Sequence, residues 1–339
     1  MTARLSEALA RLPQAHVAVC GDFCLDAYWD IDPDEGEVSV ETGLPVRRVR
    51  TQDYSPGGAA NVVANLCALG VGEVHVVGLA GDDVFGPLLR RILSEAGADV
   101  SGLLDGGPGW QTMVFGKPHV GGVEQNRIDF GGFNEPSAGA ADALAGALDA
   151  AARRCTAVVL NQQVPGGTCP PGVIERLNAV VAAHPAPAFL VDSRDRAALY
   201  RGGSLKVNAH EAARLCGRPR PLGVPVPREE AQACARELCG RTGRPAFVTC
   251  GADGICVADG GRLDHVPGIA LEGPLDPVGA GDTAVAALAA VMGSGGDART
   301  AALVANLAAA VTVRKLHTTG TATPAEIRAL AARAGAGAG

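Results

Sequence analysis

Short runs of wholly apolar residues alternate along this chain with Ala- and Leu-rich stretches of helical period. Val17-Ala-Val-Cys20, Val74 to Leu79, Ala157 to Asn161, Ala188 to Asp192 and Ala246 to Cys250 read as buried strands. Asn61 to Leu69, Phe85 to Ala96, Ala138 to Arg153, Gly172 to Ala183 and Arg228 to Arg241 read as helices. A strand that is apolar on both sides needs cover on both faces. The pattern therefore predicts an α/β domain, a mostly parallel sheet between two layers of helices. Ligands of such sheets bind outside the strand C-terminal ends. One domain is expected over residues 1–330, with the Ala/Gly-rich tail 331–339 fraying.

Two segments break the rhythm. Val38 to Tyr54 and Thr112 to Phe130 are extended and partly alternating, with β formers such as Val46, Val49, Val114, Phe115, Val120 and Val123. Each is expected to form a pair of strands, together a small sheet that projects from the body as a lid. Two long surface loops are the other reading. A projecting sheet leaves an edge or face uncovered, so a homodimer through these segments is expected.

The chain of 339 residues carries a net charge of −7 and no dense Lys/Arg run, which argues against a nucleic-acid partner. Ten cysteines are irregularly spaced without a Cys-x-x-Cys pair, as expected of reduced thiols in a cytoplasmic protein. Neither His210 nor His317 has the spacing of a metal pair, and both read as bystanders. No segment is apolar for long enough to span a membrane, and Met1 to His16 lacks the apolar core of a signal peptide.

The chemistry is concentrated in Asp276-Pro-Val-Gly-Ala-Gly-Asp-Thr283, which runs straight into an Ala-rich helical stretch. Gly279 and Gly281 permit a tight turn, and the amides that open the helix converge on one point, a place for an anion. A carboxylate there repels a bound phosphate. It makes sense if Asp282 takes a proton from a hydroxyl while the amides of Gly279, Ala280 and Gly281 hold the charge of a moving phosphoryl group. An ordinary helix N-terminus with a capping Asp also fits this run.

Other motifs follow predicted strands. Asp26 in Gly21-Asp-Phe-Cys-Leu-Asp26 is placed at a strand end, where a carboxylate accepts sugar hydroxyls or caps a turn. Gly57 and Gly58 open the next helix and allow close approach of a ligand, with Asn61 in the first turn. Asn208 and Glu211 suit a phosphate and a magnesium-bound water, and equally a capping box. Thr249-Cys-Gly-Ala-Asp-Gly254, with Gly251 and Gly254, suits a phosphate-edge turn and a tight hairpin alike.

Taken in order, these motifs resemble the ribokinase-like (PfkB) carbohydrate kinases from Gly21 to about Ile327, through PGGAANVVANLCALG (Pro56 to Gly70) and DPVGAGDT. Within that family the chain looks most like the kinase domain of bacterial enzymes that phosphorylate D-glycero-D-manno-heptose 7-phosphate at C1. Ser39-Val-Glu-Thr-Gly-Leu-Pro-Val46, Gln125-Asn-Arg-Ile-Asp-Phe130 and Lys315-Leu-His-Thr318 through Pro324-Ala-Glu-Ile327 carry that likeness. The resemblance implies a ribokinase-like fold, ATP with Mg²⁺, and a sugar or sugar-phosphate acceptor. It places Asp26, Gly57, Gly58 and Asn61 on the sugar, with Arg127 reaching from the lid. It places Asn208, Glu211, Thr249, Gly251, Gly254 and Asn306 on the nucleotide and metal side. A K⁺ ion near Asp276 is common in the family, though nothing in this sequence demands one. The chain departs from the heptose pattern in its acidic stretch Asp32 to Glu37, in Val278, in Asn161-Gln-Gln163 and in His317. A kinase for another sugar or a nucleoside, and a non-catalytic binding homologue, remain open alternatives.

Overall fold

Each wholly apolar run forms a strand covered from both sides. The computed structural model describes residues 2–34, 36–221, 223–316 and 319–336. Helix α1 (Thr2–Arg11) precedes β1 (His16–Gly21), in which Val17, Ala18, Val19 and Cys20 are fully buried. Then come β2 (Phe23–Ile31), β3 (Val49–Gly58), α2 (Ala59–Ala68), β4 (Glu73–Ala80), α3 (Phe85–Glu95) and β5 (Asp99–Asp105). Strands β6 (Met113–Val120), β7 (Val123–Glu124) and β8 (Ile128–Phe130) follow. Alternation resumes with α4 (Ala138–Ala152), β9 (Ala157–Gln162), α5 (Pro171–Ala183), β10 (Ala188–Ser193), β11 (Ser204–Asn208), α6 (Ala209–Leu215), α7 (Arg228–Thr242) and β12 (Ala246–Thr249). The chain closes with β13 (Gly254–Asp259), β14 (Arg262–Pro267), α8 (Ala280–Gly293), α9 (Ala298–Thr312) and α10 (Pro324–Ala336).

The main sheet has the order β14-β13-β12-β11-β10-β9-β1-β4-β5. Its pairs are parallel except β12–β13 and β13–β14. The two faces sort by residue parity. Val17, Val19, Val159 and Leu190 belong to the cluster of one face, with Val285 and Leu288 of α8 and Val304 of α9. Ala18, Cys20, Val158 and Leu160 belong to the cluster on the other face, with Leu144 of α4, Leu177 of α5 and Leu238 of α7. Burying a Val or Leu side chain fully contributes about 1.5–3 kcal/mol, so the parity is strongly held. It also determines what looks toward α8 at the strand ends. Asn161, Asp192 and Lys206 continue the α8-facing set on β9, β10 and β11.

The second sheet has the order β3-β2-β6-β7, with β8 on β6. Both anticipated segments contribute, but its central strand is β2, which the sequence reading did not anticipate. Asp26 therefore does not end the first strand. It lies in the middle of β2, in a different sheet. The crossing is anchored by buried Asp22, whose carboxylate accepts the N–H groups of Gln163 (2.7 Å), Val164 (2.8 Å) and Thr168 (2.7 Å). The signal was present as alternation. Phe23, Leu25 and Ala27 face one way, Cys24, Asp26 and Tyr28 the other. The first segment supplies one strand instead of two, and ahead of it Val38 and Pro45 form a single bridge.

The C-terminal expectation also changes. Residues 331–336 continue α10, with Ala331 buried, and 337–339 lie outside the described residues, as does His317. Among the described residues no helix is long and apolar enough to cross a membrane.

Candidate active site

Helix α8 opens at Gly279, whose φ of 76° is left-handed. A Cβ there would stand 2.7 Å from Asn61 Nδ2, so glycine suits both the turn and its neighbour. Asp276 Oδ1 accepts the Val278 N–H at 3.0 Å and closes the approach to the helix. The Ala280 N–H turns back to Pro277 O at 3.2 Å, so of the three anticipated amides this one is engaged inside the turn. Gly281 and Asp282 are in the first turn, where a helix has no carbonyl of its own to offer.

Asp282 is tied to α2. Asn61 Nδ2 donates to Asp282 Oδ2 at 2.9 Å, Asn65 Nδ2 donates to Asn61 Oδ1 at 3.0 Å, and Thr283 Oγ1 donates to Asn65 Oδ1 at 3.0 Å. The chain of bonds returns to α8 and fixes the carboxylate against the glycine turn. Burial, with the charge of Asp192 and a smaller one from Asp26, pushes the Asp282 carboxyl up to about 7, against the pull of Asn61 and Lys206. A base serves best when its pKa lies near the working pH.

Lys206 and Asp192 form a buried pair, Nζ to the two carboxylate oxygens at 3.1 and 3.0 Å. A Cβ at Gly281 would lie 3.0 Å from Lys206 Nζ, which puts the ammonium beside the mouth of α8. Burial pulls this ammonium down, but Asp192, Glu211 and Asp282 together outweigh it and raise its pKa. Asn161 is fully buried in the next strand, paired in register with Asp192, and neither of its amide atoms has a partner among the described residues. No motif in the sequence marks Lys206, Asp192 or Asn161 as site residues. Asn161 and Asp192 each end an apolar run on the α8-facing parity, and Lys206 interrupts one between Leu205 and Val207, and that was the available signal.

On the lid, Asp26 is buried against Gly57, where a Cβ would come within 2.9 Å of Asp26 Oδ1. Gly58, with φ 53°, leads into α2 and Asn61. Asp26 Oδ2 is 3.0 Å from Lys117 Nζ. Arg127, anticipated at this place, bonds Asp129 at 2.7 and 2.8 Å and stacks 4.5 Å from the ring centroid of Phe115, the residue opposite Asp26 on β6. Burial raises the Asp26 carboxyl, and the charges of Lys117 and Arg127 help to hold it down. Ser55 Oγ and Thr319 Oγ1 bond at 2.8 Å, and Thr319 Oγ1 reaches Pro56 O at 3.0 Å, joining the lid to the segment before α10.

The nucleotide-side residues fall into two groups. Asn208 and Glu211 form a full capping box on α6: Asn208 Oδ1 accepts the Glu211 N–H at 2.9 Å, and Glu211 Oε2 accepts the Asn208 N–H at 2.8 Å. The second oxygen of Glu211 remains for a metal-bound water. Burial raises the Glu211 carboxyl, with Asp192 adding to it, against the Asn208 N–H and Lys206. Thr249, Gly251 and Gly254 surround the turn between β12 and β13, where residues 251–253 make a 3₁₀ turn instead of a two-residue hairpin. Thr249 Oγ1 donates to Val207 O at 3.4 Å. Asn306 donates to Val266 O (2.9 Å) and Pro267 O (3.2 Å), holding the end of β14. Beside it lies a cavity of about 1110 Å³ lined by Pro267, Gly268, Ile269, Leu303 and Arg314. Arg4, Glu272, Arg299 and Arg333 also line it, and none of Asp282, Asn208, Glu211, Thr249, Gly251 or Gly254 does.

The pfkB family carbohydrate kinase model matches residues 15–111 and 193–326, which hold Asp26, the Gly57–Asn61 turn, Lys206 and Asp282. The chain belongs to the pfkB family of carbohydrate kinases. It is a sugar kinase, an ATP-using phosphotransferase. Bifunctional protein HldE of Azorhizobium caulinodans is 33% identical over 97% of this chain and 67% of its own length. The HldE of Alkalilimnicola ehrlichii is 36% identical over 93% and 63%. The chain thus spans about two thirds of the relatives it matches. Among solved structures, phosphofructokinase-2 of Escherichia coli in complex with potassium aligns with a TM-score of 0.74 at 15% identity, covering 95% of this chain and 99% of that one. Ribokinase of Arabidopsis thaliana, complexed with ribose and ATP, aligns at 0.70 and 19%, covering 93% and 98%. These two likenesses bear on the fold, which is ribokinase-like.

Proposed function

We propose that this sugar kinase transfers the γ-phosphoryl group of ATP to an acceptor hydroxyl held between Asp26 and Asp282, and that the acceptor is a heptose 7-phosphate phosphorylated at C1. The raised Asp282 carboxyl, set against a glycine turn that opens a helix, is the observation that carries the reading. Asp282 takes the hydroxyl proton as the new O–P bond forms and the bond to ADP breaks. The Gly281 amide and the Lys206 ammonium meet the charge that spreads over the transferring oxygens. Mg²⁺ would neutralise the ATP phosphates, with Glu211 holding one of its waters. Asp276 is the side chain nearest in sequence for a K⁺ ion. The likeness of Ser39 to Val46 and of Gln125 to Phe130 to segments of the heptose kinases supports the heptose acceptor. Turnover assays over neutral sugars, nucleosides and sugar phosphates test it directly, and the absence of turnover on every sugar would sink the reading.

Asp26→Ala should raise the acceptor KM by about 10–100-fold, the worth of hydrogen bonds to a charged group, and leave ATP affinity nearly intact. Calorimetry that finds ATP binding lost and sugar binding normal would put Asp26 on the wrong side of the site.

We also propose that the lid pairs with a second copy. Val40 is 97% exposed, Leu44 65% and Val123 65%, all on the two lid segments, a concentration of apolar surface that a monomer seldom leaves open. Light scattering at micromolar concentration should give twice the chain mass, and a strictly monomeric mass would remove the dimer.

A further inference from the structure

We propose that Lys117 is a specificity-determining residue that works with Asp26 to read a vicinal diol of the acceptor, one hydroxyl donating to the carboxylate and its neighbour accepting from the ammonium. This rests on the acceptor lying at Asp26, as proposed above.

Strands β2 and β6 run parallel with Asp26 opposite Phe115 and Tyr28 opposite Lys117. Period-two geometry puts all four side chains on one face. Ser55, opposite Asp26 on β3, bonds Thr319, whose methyl lies 3.3 Å from where a Cβ at Gly279 would stand, so this is the face turned to the site. Lys117 Nζ lies 3.0 Å from Asp26 Oδ2 and 3.3 Å from Tyr28 Oη, and 4.9 Å from the Tyr28 ring centroid. An ammonium has three N–H groups, and these contacts use two. Both members of the pair are buried, Asp26 at 4% and Lys117 at 8% exposure.

A buried ion pair is a poor way to hold a small sheet together, because desolvation offsets most of the attraction and apolar residues of like volume do as well. Its position explains it better. A carboxylate alone recognises hydroxyls only as donors. A hydroxyl both donates and accepts, so an ammonium fixed beside the carboxylate matches both halves of two adjacent hydroxyls. Lys117 is the cation bonded to Asp26, whereas Arg127, engaged by Asp129 through two bonds, reaches Asp26 only through its charge.

The test uses the full chain and the acceptor that the wild type turns over best. With that acceptor, removing either hydroxyl of one adjacent pair should lower kcat/KM by about 10–100-fold. In Lys117→Met the acceptor KM should rise by a similar factor, the nucleotide Kd should stay within about twofold, and the penalty for losing the accepting hydroxyl should vanish. A wild type indifferent to every adjacent hydroxyl pair overturns the proposal whether or not the variant folds. So does a Lys117→Met enzyme with an unchanged acceptor KM or an undiminished deoxy penalty. Both outcomes leave the sugar-kinase reading standing. A wild type that phosphorylates no sugar defeats that reading, and this one with it.

Discussion

Asp282→Asn should lower kcat by about 10²–10⁴, the usual worth of a general base, while ATP binding survives. The Asn61 bond places the carboxyl and the buried site tunes it. Only the ionised form accepts a proton, so wild-type kcat/KM should climb with pH, level off above about 7, and lose that inflection in the variant. Stability should move the other way. A carboxyl whose folded pKa lies above its unfolded value holds a proton that the unfolded chain releases, so stability falls as pH rises between the ordinary carboxylate range and about 7. Asp282→Asn removes that loss and should melt higher than wild type at pH near 8. Near-normal turnover, or a wild-type profile flat across neutrality, would rule Asp282 out as the base.

Lys206→Met should lower kcat by about 10²–10³, the range for removing one fixed stabiliser of transition-state charge. The pH profile should also shift upward, because Lys206 pulls the Asp282 pKa down. Asp192 would be left buried without its partner, at a cost of about 3–5 kcal/mol in stability. The double variant Asp192→Asn/Lys206→Met removes the stranded charge and separates the two effects. It should regain stability and stay slow. A kcat within about threefold of wild type in the double variant would show that the ammonium is not needed for the transfer.

Much of this was readable in one dimension. The apolar runs at Val17, Ala157 and Ala188 became strands within a residue or two of their expected ends, because burial on both faces leaves no other use for such runs. The turn at Gly279 and Gly281 was legible because a backbone at positive φ, or with a neighbour inside van der Waals distance, selects glycine directly. One residue pair was legible with its role left open. Asn208 and Glu211 are a capping box in the structure, and whether the spare oxygen of Glu211 also serves a metal is a question of chemistry beyond the cap.

What stayed hidden were partnerships. Nothing local says that β2 leaves the main sheet, and a strand two residues after another reads as a loop until a second sheet exists to receive it. Lys117 is 91 positions from Asp26, Asn61 is 221 from Asp282, and the charge on Asp192 reaches Asp282 from another strand. The sequence by itself determined the layered α/β fold, the glycine turn that opens a helix and the carboxylate at its mouth, since periodicity and glycine act over a few residues. Only the tertiary structure decided which charges face that carboxylate, and hence that it is held near neutrality. Desolvation and Coulomb forces depend on distance in space, and those distances exist only once the strands have paired.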